Sequence, residues 1–297
     1  MKKVISLLLI TLLYVGLNSA KAQDLSPYVK VGDVNTTIDQ TATKVKSALT
    51  NKGFDIIGEY NVENNKNLKV IVYSRKDLQT TVLKVKDRGA LAAALKVGLK
   101  ASGSKTTISY LNPEYLFNAY LRDNFPKHQT ALQKVTNDVK SALSALGNDN
   151  KGFGGSLSAK DLRKYHYKMM MPYFSDPVEL EEFSSFDEGV KTIEKNLAAK
   201  KGNTKLVYKL KFNADNIAVY GVALLDSATG EGNFLPIIDN SHLAAMPYEI
   251  ILQGKTATIL HGRYRLAVHW PELTMGTFMK IMSTPGEIED TLEALCK

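Results

Sequence analysis

The same order of predicted elements occurs twice along this chain. In the first half, Thr37 and Gln40 form a capping pair at the start of an amphipathic helix that ends at Gly53. In the second half, Ser185 and Glu188 form the pair, and Gly202 ends the helix. Each helix leads into runs of strand-forming residues joined by short turns. This repetition predicts an α+β fold of two related small domains, each a mostly antiparallel sheet with packed helices, and it indicates an internal duplication.

Each half then reaches a proline followed by a glutamate. These prolines are Pro113 in the first half and Pro271, ahead of Glu272, in the second. Proline suits the first helical position, where its missing N–H would have no partner, so we expect a helix to begin at each one. The second half has extra residues before its proline, and we expect a strand at 264–269 to accommodate them. The glycines at 230–232 predict a hairpin turn.

Residues 147–160 are rich in glycine, asparagine and serine, a composition that buries little apolar surface when it orders. We interpret this stretch as a flexible linker. The chain then divides into a first α+β domain at 23–146 and a second α+β domain at 161–297.

Residues 1–22 have the three parts of an export signal. Two lysines form a basic start, an apolar run covers 4–17, and Ala20 and Ala22 provide the small residues of a cleavage site. We therefore expect an exported protein, periplasmic or secreted. It is not expected to be a lipoprotein, because no cysteine lies beside the cleavage site. No membrane span is expected, because no apolar run reaches about 18 residues.

Composition narrows the functional classes. The formal net charge of +8 comes from 38 Lys and Arg against 30 Asp and Glu, spread through both halves without long runs, so no nucleic-acid binding is expected. With 44% hydrophobic residues, the chain can form its hydrophobic cores without a structural metal or disulfide bonds. Its single cysteine could not form a set of disulfides. We expect no cofactor and no metal site.

Candidate catalytic residues are scarce. The Gly-x-Ser-x-Gly nucleophile motif is absent, and no histidine stands at metal-ligand spacing from another ligand. The nearest approach to a site is a group on the predicted strand and its exit: Arg263, Tyr264, His269 and Glu272. A scattered site of this kind would belong to a hydrolase-type enzyme. Glu272 also has the simpler interpretation of a first-turn helix charge.

The most unusual passage is a mixture of aromatic residues and methionine after the predicted linker. Its candidate docking residues are Tyr165, Tyr167, Met169, Met170, Tyr173 and Phe174. Aromatic and adaptable methionine side chains suit packing of one domain on the other or contact with a partner. Consecutive methionines point in different directions on a helix or a strand, which argues against their convergence on a copper(I) ion.

Residues 31–125 resemble the small bacterial family catalogued as domain of unknown function 302. The resemblance rests on an opening helix that ends in Lys52-Gly53-Phe54 and on a strand that ends in Tyr-x-Asn-Pro at Asn112 and Pro113. Residues 184–283, with Pro271 in place of Pro113, would be a divergent second copy. The resemblance implies a compact α+β fold with structural roles for Gly53, Phe54, Asn112 and Pro113. It implies no established activity.

These observations favour a non-enzymatic exported module that binds a partner protein or a small apolar ligand. The alternatives are the hydrolase-type enzyme near Glu272 and His269 and a structural subunit of a cell-envelope assembly. A homodimer is also left open.

Overall fold

The computed structural model describes residues 24–297. The predicted export signal, residues 1–22, lies outside the described residues, and so does the first residue of the predicted first domain.

The first sheet and its helices come from the first half of the chain. Its strands and helices are β1 (Tyr28–Val34), α1 (Ile38–Thr50), β2 (Asp55–Asn61), β3 (Leu68–Ser74), α2 (Lys76–Val82), β4 (Leu95–Ser102), β5 (Lys105–Leu111), α3 (Pro113–Leu121), α4 (Phe125–Ser144), β6 (Lys151–Phe153) and α5 (Ala159–Arg163). The six strands form one antiparallel sheet in the order β2-β3-β4-β5-β1-β6.

The second sheet comes from the second half. Its strands and helices are β7 (Val178–Glu182), α6 (Phe186–Ala198), β8 (Thr204–Phe212), β9 (Ile217–Leu224), α7 (Glu231–Ile238), β10 (Tyr248–Gln253), β11 (Thr256–Ile259), α8 (Gly262–His269), α9 (Met275–Phe278) and α10 (Thr284–Ala294). The sheet is antiparallel in the order β8-β9-β10-β11-β7. This order repeats β2-β3-β4-β5-β1 of the first sheet. The predicted α+β fold with two mostly antiparallel sheets is confirmed.

Local chemistry explains the elements that the sequence identified. The Thr37 side chain accepts a hydrogen bond from the Gln40 backbone N–H at 3.3 Å, and the Gln40 side-chain oxygen accepts one from the Thr37 N–H, so α1 begins with a capping box. Gly53 follows the helix at φ +76°, a conformation that glycine adopts without strain. Asn112 caps α3 by accepting from the Glu114 N–H at 3.2 Å.

The other positions named by the family resemblance are also structural. Pro113 takes the first position of α3. Phe54 is buried, and its ring packs edge-on against Tyr73 at 5.3 Å between centroids, with the Arg75 guanidinium 4.4 Å above it.

The two sheets meet face to face. On β4, Lys96 pairs with Glu249 of β10, and a Cβ at Gly98 would lie 2.8 Å from the side chain of Leu243 in the turn before β10. Helix α1 packs on the opposite face of the first sheet. In the second half, Gly189 of α6 packs against Leu252 of β10, on the face away from the first sheet. The result is a helix–sheet–sheet–helix arrangement with one continuous buried apolar core.

The predicted strand at 264–269 is wrong, because these residues form the helix α8. The side chain of His261 accepts from the Arg263 N–H at 3.2 Å and starts the helix at Gly262. Pro271 then ends this helix and does not begin one, since α8 stops at His269 and the next helix begins at Met275. Helix α8 follows β11 just as α3 follows β5, so α8 is the counterpart of α3.

The predicted hairpin turn at 230–232 is also wrong. Gly230 takes the N-cap position of α7, and Glu231 and Gly232 form its first turn. The apolar residues after them, Phe234, Leu235 and Ile238, are buried. Their spacings of one and three define a helical face, which outweighs the turn preference of the two glycines.

The predicted linker contains ordered structure. Its residues Lys151–Phe153 form β6, which pairs with β1, and Leu157 forms a backbone bridge with Leu25. Composition pointed to a flexible segment, but backbone pairing to an existing strand orders this one without much side-chain burial. No helix within residues 24–297 is long and apolar enough to cross a membrane.

Candidate functional site

Two hydrogen bonds with matching positions join α3 and α8. The Tyr115 hydroxyl in α3 donates to the Val268 carbonyl at 2.7 Å, and the Tyr264 hydroxyl in α8 donates to the Ala119 carbonyl at 3.3 Å. Each tyrosine is the third residue of its helix and each acceptor the seventh. The two helices therefore pair about a local pseudo-twofold axis, and Tyr264 is part of the interface between the halves.

His269 lies at the centre of the same interface. Its Nδ1 is 3.0 Å from the Tyr28 hydroxyl and its Nε2 is 3.0 Å from the Tyr120 hydroxyl. Burial holds the pKa of His269 well below its usual value, and the nearby positive charges of Arg265 and Lys96 lower it further. The neutral ring thus donates at one nitrogen and accepts at the other, which links both halves but leaves no ring nitrogen for a substrate.

A buried ion cluster forms the second link between the halves. Lys96 of β4 pairs with Glu249 of β10, and Arg265 Nη2 lies 3.6 Å from the other Glu249 oxygen. Arg265 also donates to the Pro247 carbonyl at 3.1 Å and stacks 3.5 Å from the ring centre of Tyr248. Burial lowers the pKa of Lys96, and the Glu249 carboxylate opposes this shift. One carboxylate thus compensates two buried cations.

The four candidate catalytic residues do not share one accessible site. Tyr264 and His269 are buried in the interface, whereas Arg263 and Glu272 are exposed. Glu272 lies against Gly155 of the predicted linker, and its side chain is 2.9 Å from where a Cβ on that glycine would stand. The exposed carboxylate of Glu272 is therefore separated from the buried ring of His269.

The predicted docking residues divide into anchors and exposed positions. Phe174 is buried, with its ring centre 5.3 Å from that of Tyr120 and 5.9 Å from that of Tyr264. The Tyr165 hydroxyl donates to the Ala267 carbonyl at 3.1 Å. Met169 and Met170, between these anchors, are 85% and 96% exposed. The segment is therefore fixed at both ends to the α3–α8 interface.

An apolar groove of about 240 Å³ lies between this segment and the stretch after α8. We call it the methionine groove; its lining residues are Tyr167, Met171, Arg263, Leu266, Ala267, Trp270, Leu273, Met275, Phe278 and Met282. Carbon and sulphur atoms make up most of its surface. Arg263 is the only formally charged residue among those that line it.

Exposed methionines form the rim of the groove. Met275, Met279 and Met282 are 50%, 56% and 57% exposed. Their sequence spacings of four and three place them on one side of residues 275–282, which we call the α9 segment and which comprise α9 and the short 3-10 turn after it. This spacing is the signal by which sequence reasoning could have found them. Methionine is flexible and polarisable, and it is over-used at surfaces that accept varied apolar partners.

Comparison with known proteins gives a family and a distant structural likeness. The family described as domain of unknown function DUF302 matches residues 31–146. A solved structure, "Crystal structure of uncharacterized conserved protein DUF302 from Bacillus stearothermophilus", is 15% identical; the match covers 39% of this chain and 95% of that chain, with a TM-score of 0.34. No curated protein matches the chain.

Proposed function

Residues 31–146 belong to the DUF302 family, and from that starting point we propose that this chain is a non-enzymatic binding module whose methionine groove holds an apolar segment of a partner protein. The observation that carries the proposal is the exposed methionine rim beside an apolar groove. Large apolar side chains left in water cost free energy, and contiguous exposed patches mark interaction surfaces.

The shape of the surface favours a protein over a small apolar ligand. The groove volume of about 240 Å³ falls below the roughly 300–1,000 Å³ typical of small-molecule pockets. A small ligand inside it would leave Met279 on the rim in water, because Met279 does not line the groove. A partner segment that inserts one or two side chains would cover both groove and rim, as in helix-in-groove recognition.

The charged residues near the groove indicate which residues should flank that partner segment. Arg263 lines the groove, and Lys168 and Lys280 are exposed on the two stretches that border it, together with one exposed carboxylate, Glu272. An apolar segment with acidic neighbours would complement these cations, mainly through a faster association rate.

We further propose that the second half is a divergent copy of the first. Support comes from the shared strand order and from the matching positions of Tyr115 and Tyr264 on α3 and α8. Under this proposal the first copy supplies the scaffold and the second copy supplies the partner surface.

The proposed setting is outside the cytoplasm, periplasmic or secreted, because residues 1–22 have the pattern of an export signal. Intact-mass measurement of protein recovered from its own cells should show a chain that begins near Gln23 without an added acyl group. Retention of Met1 or a lipid mass would contradict this.

Site-specific photocrosslinking tests the binding proposal. A photoreactive residue at Met279 should give a discrete protein adduct in the native host. The same residue at Leu206, which is 38% exposed on β8, serves as the matched control. We expect the adduct only at Met279, and we expect Met275→Ser together with Met282→Ser to abolish it.

The other outcomes distinguish the alternatives. Equal adducts at both positions, or none at Met279, would contradict the partner proposal. An adduct of small mass would indicate an apolar ligand. Adducts with several different cell-envelope proteins would indicate a structural subunit. A turnover that Glu272→Gln abolishes without a change in melting temperature would establish the enzyme alternative.

A further inference from the structure

A second depression lies beside the segment that borders the methionine groove. Tyr167 and Met171 of this segment line the groove, whereas Tyr165, His166 and Tyr173 line the second depression. We call it the basic cleft. Its volume of about 560 Å³ falls within the roughly 300–1,000 Å³ of small-molecule sites.

Two arginines are held in place at the wall of the cleft. The Arg122 guanidinium lies 4.8 Å above the ring of Phe174 and pairs with Asp87 through Nη2. Its Nε is shielded from solvent and has no hydrogen-bond partner within residues 24–297. Arg163 donates from Nε to the Asn118 side chain at 2.9 Å. Each guanidinium has five donors, so both retain donors for a ligand.

Aromatic rings form the rest of the cleft. The rings of His166 and Tyr173 pack at 4.3 Å between centroids, and Tyr173 is 43% exposed. Tyr165 and Phe174 line the cleft beside them. Such rings offer stacking and edge contacts to a planar ligand.

The charge balance points to a single negative charge on that ligand. Arg88, Arg122, Arg163 and Lys164 lie in the cleft wall or directly behind it. Asp87, Asp123 and Asp176 lie among them, paired with or next to these groups. One cation is left in excess, and a guanidinium fork matches the geometry of a carboxylate.

We propose that the basic cleft binds a small aromatic carboxylate, with the carboxylate on Arg122 and Arg163 and the ring against Tyr173 and His166. This site is separate from the methionine groove, and it does not depend on the proposed function.

Isothermal titration calorimetry with benzoate tests the proposal. We expect saturable binding of benzoate, weaker binding of phenyl phosphate, and no binding of neutral benzyl alcohol. Arg122→Gln should weaken benzoate binding by about tenfold or more, because a hydrogen bond to a charged group is worth roughly 1.5–3 kcal/mol. Tyr173→Ala should weaken it several-fold.

Arg75→Gln is the matched control. Arg75 also stacks on a phenylalanine, 4.4 Å above the ring of Phe54, and pairs with Asp77, but it does not line the cleft. It should leave benzoate binding unchanged. If Arg122→Gln lowers the melting temperature by more than Arg75→Gln does, its loss of binding could come from a loss of folding. In that case the change in benzoate binding of Tyr173→Ala decides the outcome.

Four results would overturn the proposal. These are an absence of saturable benzoate binding, equal binding of benzyl alcohol, tighter binding of phenyl phosphate, and an equal loss of binding in the Arg75→Gln control.

Discussion

The two halves share one strand order but differ in the segment that comes after their last shared helix. In the first half, only residues 122–124 separate α3 from α4, and the twenty-residue α4 packs against α1 and α2. In the second half, residues 270–283 separate α8 from the eleven-residue α10. That longer stretch carries the exposed methionines of the rim, Met275, Met279 and Met282. The methionine rim of the partner surface that we propose therefore lies in a segment that only the second half possesses.

The halves also differ where they touch each other. Lys96 and Glu249 are each the second residue of corresponding strands, and they face each other across the interface. Tyr120 and His269 take corresponding helix positions and meet through a hydrogen bond. Near a pseudo-twofold axis, halves with the same residue at corresponding positions would place that residue on both sides of the contact. Two lysines or two glutamates placed in this way would repel each other. The different residues at these corresponding positions make the halves complementary.

The largest expected effect tests this complementarity. Glu249→Gln should destabilise the fold by about 3–5 kcal/mol, because it leaves Lys96 and Arg265 buried without a counter-charge. Lys96→Met should cost less, since Arg265 still faces Glu249. Urea denaturation of both variants measures the difference.

Glu182→Gln is the control for that experiment. Glu182 pairs with Lys255 at 2.5 Å, and both side chains are more than half exposed. Exposed pairs contribute about 0–1 kcal/mol. Equal losses in Glu249→Gln and Glu182→Gln would show that the interface does not rely on the buried carboxylate.

The next effect concerns Glu231, a second contact between the halves. Tyr60 of the first half donates to its carboxylate at 2.8 Å, and burial raises the pKa of Glu231 from 4.5 to about 7. In the unfolded chain this group ionises at a lower pH, so the buried charge destabilises the fold increasingly as the pH rises from about 4.5 to 7. The penalty above pH 7 is about 3 kcal/mol, at 1.36 kcal/mol per pKa unit.

Glu231→Gln removes this ionisation, so its stability relative to the native chain should increase by about 3 kcal/mol between pH 4.5 and 7.5. Denaturation of both proteins at several pH values measures this difference in stability. The buried histidines are the same in both proteins, so their contribution cancels. Tyr60→Phe removes a hydrogen bond that lowers the pKa of Glu231 and should move the transition to higher pH. Parallel stability curves for Glu231→Gln and the native chain would refute the assignment.

A smaller effect tests the pairing of α3 and α8. Tyr115→Phe and Tyr264→Phe each remove one interface hydrogen bond, and each should cost about 1 kcal/mol. The loss should be larger for Tyr115, whose bond is 2.7 Å against 3.3 Å for Tyr264. Thermal denaturation measures both, with the exposed Tyr173→Phe as control. A loss in only one variant would mean that the two bonds are not equivalent.

The smallest effect is expected at the methionine rim. Met275→Ser with Met279→Ser should change the free energy of unfolding by no more than about 0.5 kcal/mol, because surface substitutions outside packed features rarely do more. A loss above about 1 kcal/mol would show that these side chains belong to the packed fold and not to a partner surface.

Local patterns in the sequence determined much of the scaffold. Thr37 with Gln40, Gly53, and Asn112 with Pro113 act through neighbours within a few residues, so their positions could be read directly. The same holds for the buried face of α4, where Leu132, Val135, Val139 and Leu143 follow helical spacing. The exposed methionines of the α9 segment also had a readable spacing, although sequence alone does not show whether such a face is covered.

Tertiary structure decided the features whose partners are far along the chain. Whether 264–269 forms a strand or a helix depended on the cap at His261 and on pairing with α3, about 150 residues earlier. Glu231 acquired its raised pKa only because β2 and β9 enclose it. His269, a candidate catalyst in the sequence, became a neutral connector between two tyrosines. Burial and charge compensation depend on the packing of distant segments, and local sequence preferences do not encode that packing.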